Sequence, residues 1–322
     1  MMQRYRTGYP AVLEWLRIAV RELANHSDRL NAINVFPVAD GDTGSNLYRT
    51  ARAALDEVEA RPEAQDLGKL LQVAGRAGLE GAHGNSGTLL AVMLLGMGDS
   101  LAGVHNLTGP DLAKALESAR VRAWSALSEP VPGTMLSVLE EAARAASGTV
   151  HSAGQTEQGR ALLGCVLEAA LTASIQAVRA TTTQLDRLSQ AHVVDAGAVG
   201  LHLVLDALSC AVTGREFSDE AYEPLAGYGI GSPSITGSVI AETGVEVMCT
   251  VTATPLEAAT LRAELDSVGT SVLMSPVSPV GDGYRWRVHV HVEEQALALA
   301  AVSRFGEPAD IAVTSLCTHP DE

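Results

Sequence analysis

The densest set of chemically useful side chains lies in Asn34-Val35-Phe36-Pro37-Val38-Ala39-Asp40-Gly41-Asp42-Thr43-Gly44-Ser45-Asn46. Asp40 and Asp42 are separated by one glycine. A turn of that kind can aim both carboxylates at one hard cation. Mg²⁺ is satisfied by a few carboxylate oxygens completed by water and substrate phosphate. Thr43, Ser45 and Asn46 follow at once and can cap the next helix or meet a phosphate. A surface Asp-Gly turn followed by an N-cap would use the same residues. The concentration of polar groups behind the apolar Val-Phe-Pro-Val run favours a metal–phosphate loop.

Three further polar turns precede helical patterns. In Gly81-Ala82-His83-Gly84-Asn85-Ser86-Gly87 the glycines allow close backbone approach to a ligand. Free N–H groups at the following helix start favour an anion, and Ser86 can cap that helix or touch phosphate. An ordinary glycine-rich connection between helices has the same composition. Pro132-Gly133-Thr134-Met135 offers Thr134 as an N-cap, and Met135 as packing or as an apolar ligand surface. Val193-Val194-Asp195-Ala196-Gly197 places an Asp at another helix start, where it caps. Four such turns at helix ends could converge on one rim of a bundle. His289 and His291 stand two apart on an expected strand and therefore share a face. Two imidazoles can bind Zn²⁺ but need more ligands, which Cys249 or a second subunit could supply; a polar strand face would look the same.

The elements that must position these groups are mostly helices. Val12, Trp15, Leu16, Ala19, Val20 and Leu23 keep helical spacing. Further helices are expected over 46–58, from 67 to about 78, 87–101, 108–127, 134–146, 159–180 and 199–212. The helix at 87–101 is apolar enough to be central and buried. No strand is expected before residue 214, so residues 1–213 read as an antiparallel helical bundle or barrel. Residues 214–243, rich in Gly and Ser, read as a linker. Residues 244–317 then alternate as βαββαβ: strand 246–254, helix 255–268, strands 271–277 and 284–292, helix 293–305 and strand 311–315. The valines around the two histidines should pack under the two helices. That leaves the imidazole face for solvent, metal or a partner subunit, and a homodimer is expected.

Composition bounds the rest. The 322 residues are 47% hydrophobic and 4% aromatic, a globular mixture suited to closely packed helices. A net charge of −16 argues against nucleic acid or an anionic membrane surface as partner, and it leaves an anionic ligand dependent on metal charge. Cys165, Cys210, Cys249 and Cys317 show no CxxC spacing. The first two lie in apolar helical sequence where a buried, reduced thiol is expected. The longest apolar run, 88–97, is too short to span a bilayer. The expectation is a cytoplasmic protein with no membrane span.

The Asp40 loop resembles the metal loop of the nucleotide-binding domain of dihydroxyacetone kinases, and more closely that of the bacterial fatty acid kinase ATP-binding subunit. The turn at 81–87 resembles the family's Gly-Ala-Arg-Gly-Asn-Ser-Gly phosphate loop, with His83 in place of Arg. Residues 194–200 resemble its Val-Asp-Ala-Gly-x-x-Gly segment, and 288–291 its Val-His-Val-His strand. The resemblance implies an ATP-dependent kinase, with Asp40 and Asp42, joined by Asn34, holding Mg²⁺ against the phosphates of ATP or ADP. It places Thr43, Ser45, Asn46, Gly84, Asn85, Ser86, Gly87, Gly133, Thr134, Met135, Asp195 and Gly197 around the nucleotide. It implies zinc at His289 and His291, with a cysteine near the first strand as third ligand; Gly244 falls near that position here. It also implies an acceptor presented by a separate acyl-carrying protein. The family continues past the equivalent of Glu322 into a partner-binding domain, so a shortened form is expected. The alternatives are a non-catalytic nucleotide-binding regulatory module and a dihydroxyacetone (glycerone) kinase subunit.

Overall fold

The computed structural model describes residues 5–62, 66–153, 160–229 and 244–316. Among them, helices α1 (Tyr9–Ala32), α2 (Thr43–Glu59), α3 (Leu67–Glu80), α4 (Gly84–Ser100), α5 (Gly109–Ala126), α6 (Met135–Ser152), α7 (Arg160–Gln184), α8 (Asp186–Ala191) and α9 (Ala196–Thr213) build the first unit. From α1 to α7 each helix packs on the next, and α9 meets both α7 and α1, closing the bundle. α1 buries Trp15, Leu16, Ala19, Val20 and Leu23 on one side, as an amphipathic helix should. α4 and α9 are apolar all round and buried almost throughout. At Gly96 a Cβ would stand 2.7 Å from the Ala119 Cα, so only glycine lets α4 lie this close to α5. Trp15 Nε1 donates to Val204 O at 2.8 Å and ties α1 to α9.

Among the described residues two helical stretches, Ala161–Gln184 and Ala196–Thr213, could by length and composition each cross a membrane; in the second, 89% of the apolar window is buried inside the protein, and packing accounts for it. The cysteine expectation needs correction at one position. Cys210 is buried, but Cys165 is exposed on α7.

The described part of the expected linker, 214–229, packs back on the bundle. Tyr222, Leu225 and Tyr228 are buried there. His26 Nδ1 lies 2.7 Å from Tyr228 Oη, and Tyr222 Oη donates to Asp206 Oδ2 at 3.2 Å. The Arg29 guanidinium covers the Tyr228 ring at 4.4 Å. The physical reason is that two tyrosines and a leucine cover the apolar seam of α1 and α9 that would otherwise face water. The remainder of the linker segment, and Cys317, lie outside the described residues.

The second unit runs β1 (Val245–Ala253), α10 (Pro255–Val268), β2 (Gly269–Val280), β3 (Gly283–Val292), α11 (Gln295–Ser303), β4 (Ala309–Ser315). This is the βαββαβ order read from the sequence, as an antiparallel sheet ordered β2-β3-β1-β4. Val247, Val251, Val288, Val290 and Val292 form a core with α10 and α11. The opposite face is laid on the bundle rather than exposed. Leu273 of β2 joins the bundle core and bridges to Leu127. Ser128 N donates to Val272 O at 3.1 Å, and Arg262 donates to Ser125 O and Ala126 O at 3.1 and 3.2 Å. Arg285 pairs with Glu80, and Arg287 reaches Ala82 O at 3.5 Å. The sheet therefore stands over the ends of α3 and α5 and the start of α4.

Candidate functional site

The turns singled out in the sequence meet at a cavity of about 540 Å³ between the bundle and the sheet. Its wall includes Asn34, Asp40, Asp42, Thr43, Gly84, Asn85, Ser86, Thr134, Met135, Asp195, Gly197 and His291. Ser45, Asn46, Gly87, Gly133 and His289 stand just behind. Gly87 packs α4 against α2, where a Cβ would lie 2.6 Å from Thr50 Oγ1. Gly133 takes φ +85 and donates its N–H to Ser137 Oγ at 2.8 Å. A more open groove of about 950 Å³ beside α5 and α6 contains none of these residues. The chemistry lies with the smaller one.

Each acidic residue owes its availability to a neighbour. α2 opens at Thr43, so Asp42 is its N-cap residue, yet the Asp42 side chain makes no cap bond. Asn31 of α1 caps α2 instead: its Oδ1 accepts from Gly44 N at 2.7 Å and Ser45 N at 3.3 Å, and its Nδ2 donates to Ser45 Oγ at 3.1 Å. The Asp42 carboxylate is thereby left to the cavity. Asn34 Nδ2 donates to Asp40 Oδ1 at 2.5 Å, which leaves the Asn34 carbonyl oxygen as its remaining ligand atom. Burial, then the charge and hydrogen bond of Asp42, push the Asp40 carboxyl up to about 7. Two carboxylates this close cannot both ionise cheaply without a cation between them.

Across the cavity α4 begins at Gly84, three residues earlier than expected. Ser86 is therefore in the first turn and does not cap the helix, and the N-cap His83 makes no side-chain bond to it. Gly84 has φ +62, and a Cβ there would fall 2.5 Å from Asn46 Nδ2. Thr134 caps α6 through Leu136 N, and Asp195 caps α9 through Ala198 N at 2.7 Å. Burial raises the Asp195 carboxyl to about 7 against the pull of the N–H bonds from Ala198 and Met135. Met135 touches the space beside Gly197, where a Cβ would lie 3.4 Å from the Met135 Cβ.

The sheet contributes more than the two histidines. The register sets Glu246 opposite His291 and Met248 opposite His289, so all four share the face turned to the bundle. Glu246, His289 and His291 are 5%, 0% and 7% exposed, and their ligand atoms lie within 4.8 Å of one another. Cys249 pairs with Val288 and lies in the core on the other face. It cannot be the third ligand, because one residue of shift reverses a strand side chain; nor is a second subunit required to supply one. Burial would raise Glu246, but His289, His291 and the Gly84 N–H together hold it down to about 2. Burial and the neighbouring His289 push His291 down to about 3.

Sequence reasoning missed Glu246, Asn31 and Arg187. The Arg187 side chain donates to Pro37 O at 2.5 Å and brings a positive charge to the cavity wall. Glu246 had a usable signal, an acid between Val245 and Val247 at the start of a buried strand. Asn31 and Arg187 had none, since their partners are distant in sequence.

Residues 37–210 match the DAK2 domain family, and residues 242–320 match the middle domain of the fatty acid kinase A-like family. Protein YloV of Bacillus subtilis is 28% identical over 313 residues, covering 94% of this chain and 54% of its own length. An uncharacterized protein of Staphylococcus saprophyticus is 31% identical over 201 residues, covering 62% of this chain and 35% of its own. The chain thus spans about half or less of the length of these relatives. The crystal structure of the dihydroxyacetone kinase from C. freundii in complex with AMP-PNP and Mg²⁺ aligns at TM-score 0.45 and 20% identity, over 64% of this chain and 35% of that one.

Proposed function

The chain belongs to the DAK2 domain family, and on that premise we propose that it is the ATP- and Mg²⁺-binding subunit of a phosphotransferase. One observation carries the reading: the Asp40/Asp42 pair and the Gly84 turn, which carries the first N–H groups of α4, face one cavity. Phosphoryl transfer depends on positioning and on neutralising phosphate charge. Asp40, Asp42 and the Asn34 carbonyl would hold Mg²⁺, with Thr43 beside them. Behind the wall, Ser45 is bonded to Asn31 at the start of α2 and Asn46 packs against the Gly84 turn. Asn85 and Ser86 would present N–H groups and a hydroxyl to phosphate, while the Gly84 N–H is held by Glu246 and Gly87 lets α4 pack against α2 behind them. Met135, with Gly133 and Thr134 at its base and Asp195 and Gly197 beside it, would border the base of the nucleotide. Arg187 supplies positive charge to a wall that also carries the acids Asp40, Asp42, Asp195 and Glu246.

The acceptor we propose is a carboxylate presented by a separate acyl-carrying protein, in line with the fatty acid kinase name of the matched middle-domain family. A carboxylate is already a nucleophile, so the cavity need provide no base to activate it. Zinc fits the Glu246, His289 and His291 set, in which one orphaned ring nitrogen from each histidine would become a ligand. When bound it would place a Lewis-acidic charge at the cavity wall. A homodimer is proposed through the outer edge strand β4, where Ile311 and Val313 are 46% and 41% exposed.

Calorimetric titration with ADP in Mg²⁺ and in chelator tests the nucleotide reading. Binding should require the cation, and Asp40→Ala with Asp42→Ala should abolish it with helical circular dichroism unchanged. Equal affinity in chelator would overturn the metal bridge. Rapid phosphorylation of free dihydroxyacetone by this chain alone would overturn the acceptor.

A further inference from the structure

Glu246 touches two systems at once. Its Oε1 accepts the Gly84 N–H at 2.9 Å, at the turn that opens α4. The same side chain lies within ligand distance of His289 and His291. Both ring nitrogens of His289 and Nδ1 of His291 are buried without hydrogen-bond partners. His289 Nδ1 is 3.0 Å from Glu246 Oε1, yet outside hydrogen-bond geometry. Buried polar atoms are almost always satisfied. One nitrogen from each ring, beside the Glu246 carboxylate, describes a gap that a cation closes.

We propose that Glu246 is shared between a zinc site completed by His289 and His291 and the Gly84 N–H, so that zinc occupancy tightens binding of a Mg²⁺–nucleotide. This rests on the reading of the cavity as the nucleotide site. The physical basis has two parts. Without zinc, Glu246 adds an anion to a wall that already holds Asp40 and Asp42, and phosphates are repelled. Zinc cancels that charge. It also fixes the Glu246 carboxylate, and with it the Gly84 turn, before the nucleotide arrives, so less ordering remains to oppose binding. Linkage then requires the nucleotide to tighten zinc by the same factor.

The test uses the full chain, stripped with chelator and reloaded with Zn²⁺. Metal content is measured by mass spectrometry, and ADP is titrated calorimetrically at a fixed excess of Mg²⁺. One zinc per chain is expected, with ADP affinity about fivefold or more higher in the loaded form, the lower end of usual coupling between sites. X-ray absorption at the zinc edge of the wild type should show nitrogen and oxygen ligands and no sulfur, which decides the ligand set without any variant. Glu246→Gln keeps an oxygen for Gly84 but removes the carboxylate; it should lose zinc and the zinc response. His289→Ala should do the same. A wild type without zinc, equal ADP affinity in both forms, or a zinc response that persists in His289→Ala, where the ion would sit in the acidic loop, each overturns the proposal. Absence of ADP binding in both forms overturns the nucleotide reading and the coupling together. The zinc content and edge spectrum still decide the ligand assignment in that case.

Discussion

His202 of α9 gives the most quantitative prediction. It is 4% exposed, and its Nδ1 lies 2.7 Å from Ser174 Oγ. The Ser174 hydroxyl donates to Leu171 O at 2.8 Å, so the Ser174 oxygen accepts and His202 Nδ1 carries the hydrogen. Its ring also packs against Tyr222, centroids 5.4 Å apart. Burial, reinforced by Arg179 and Arg215, lowers its pKa from 6.5 to about 4. The folded protein therefore resists a proton that the unfolded chain accepts. Stability from the neutral ring is fully present above the unfolded value and is lost as pH falls from 6.5 towards 4. At about 1.4 kcal/mol per pKa unit, the loss is about 2 kcal/mol by about pH 5 and approaches about 3 kcal/mol below the folded value. Asp40 and Asp195, both raised to about 7, act in the opposite sense. They cancel in a comparison of wild type with His202→Asn, whose amide nitrogen can replace Nδ1–H. Urea unfolding followed by helical circular dichroism, at about pH 8 and about pH 5, should show the wild type losing about 2 kcal/mol more than the variant between the two. The same pH dependence in both proteins would refute the claim that His202 is held neutral by its surroundings.

Two other outcomes follow from the site and the sheet. Gly84→Ala must hold an L-residue at φ +62 with its Cβ 2.5 Å from Asn46 Nδ2. It should cost about 1–2 kcal/mol of stability and weaken ADP binding about tenfold; unchanged calorimetric affinity would show that the turn does not touch phosphate. Ile311→Asp on β4 should convert the proposed dimer to monomer by light scattering, and a wild type already monomeric at high concentration would dismiss the β4 interface.

Much of the architecture was legible because it depends on local patterns. Helical spacing announced α1 to α7 and α9, and alternation gave βαββαβ. The short helix α8 was not seen, since six residues carry too little periodicity to register. The packing of 214–229 on the bundle was not legible, because glycine and serine content reports chain freedom and not where Tyr222 and Tyr228 find an apolar seam.

The sequence by itself determined that Asp40, Asp42 and the glycine turns sit at helix starts, and that His289 and His291 share a face. Those properties belong to short stretches of chain and their backbone periods. Only the tertiary structure decided that the imidazole face is buried against the bundle. It also decided that Glu246 and not Cys249 stands beside those rings, and that Asn31 caps α2 and frees Asp42. Each of these depends on strand register or on contact between distant helices. Register is set by which faces find apolar partners in the closed fold, and no spacing along a single chain encodes that directly.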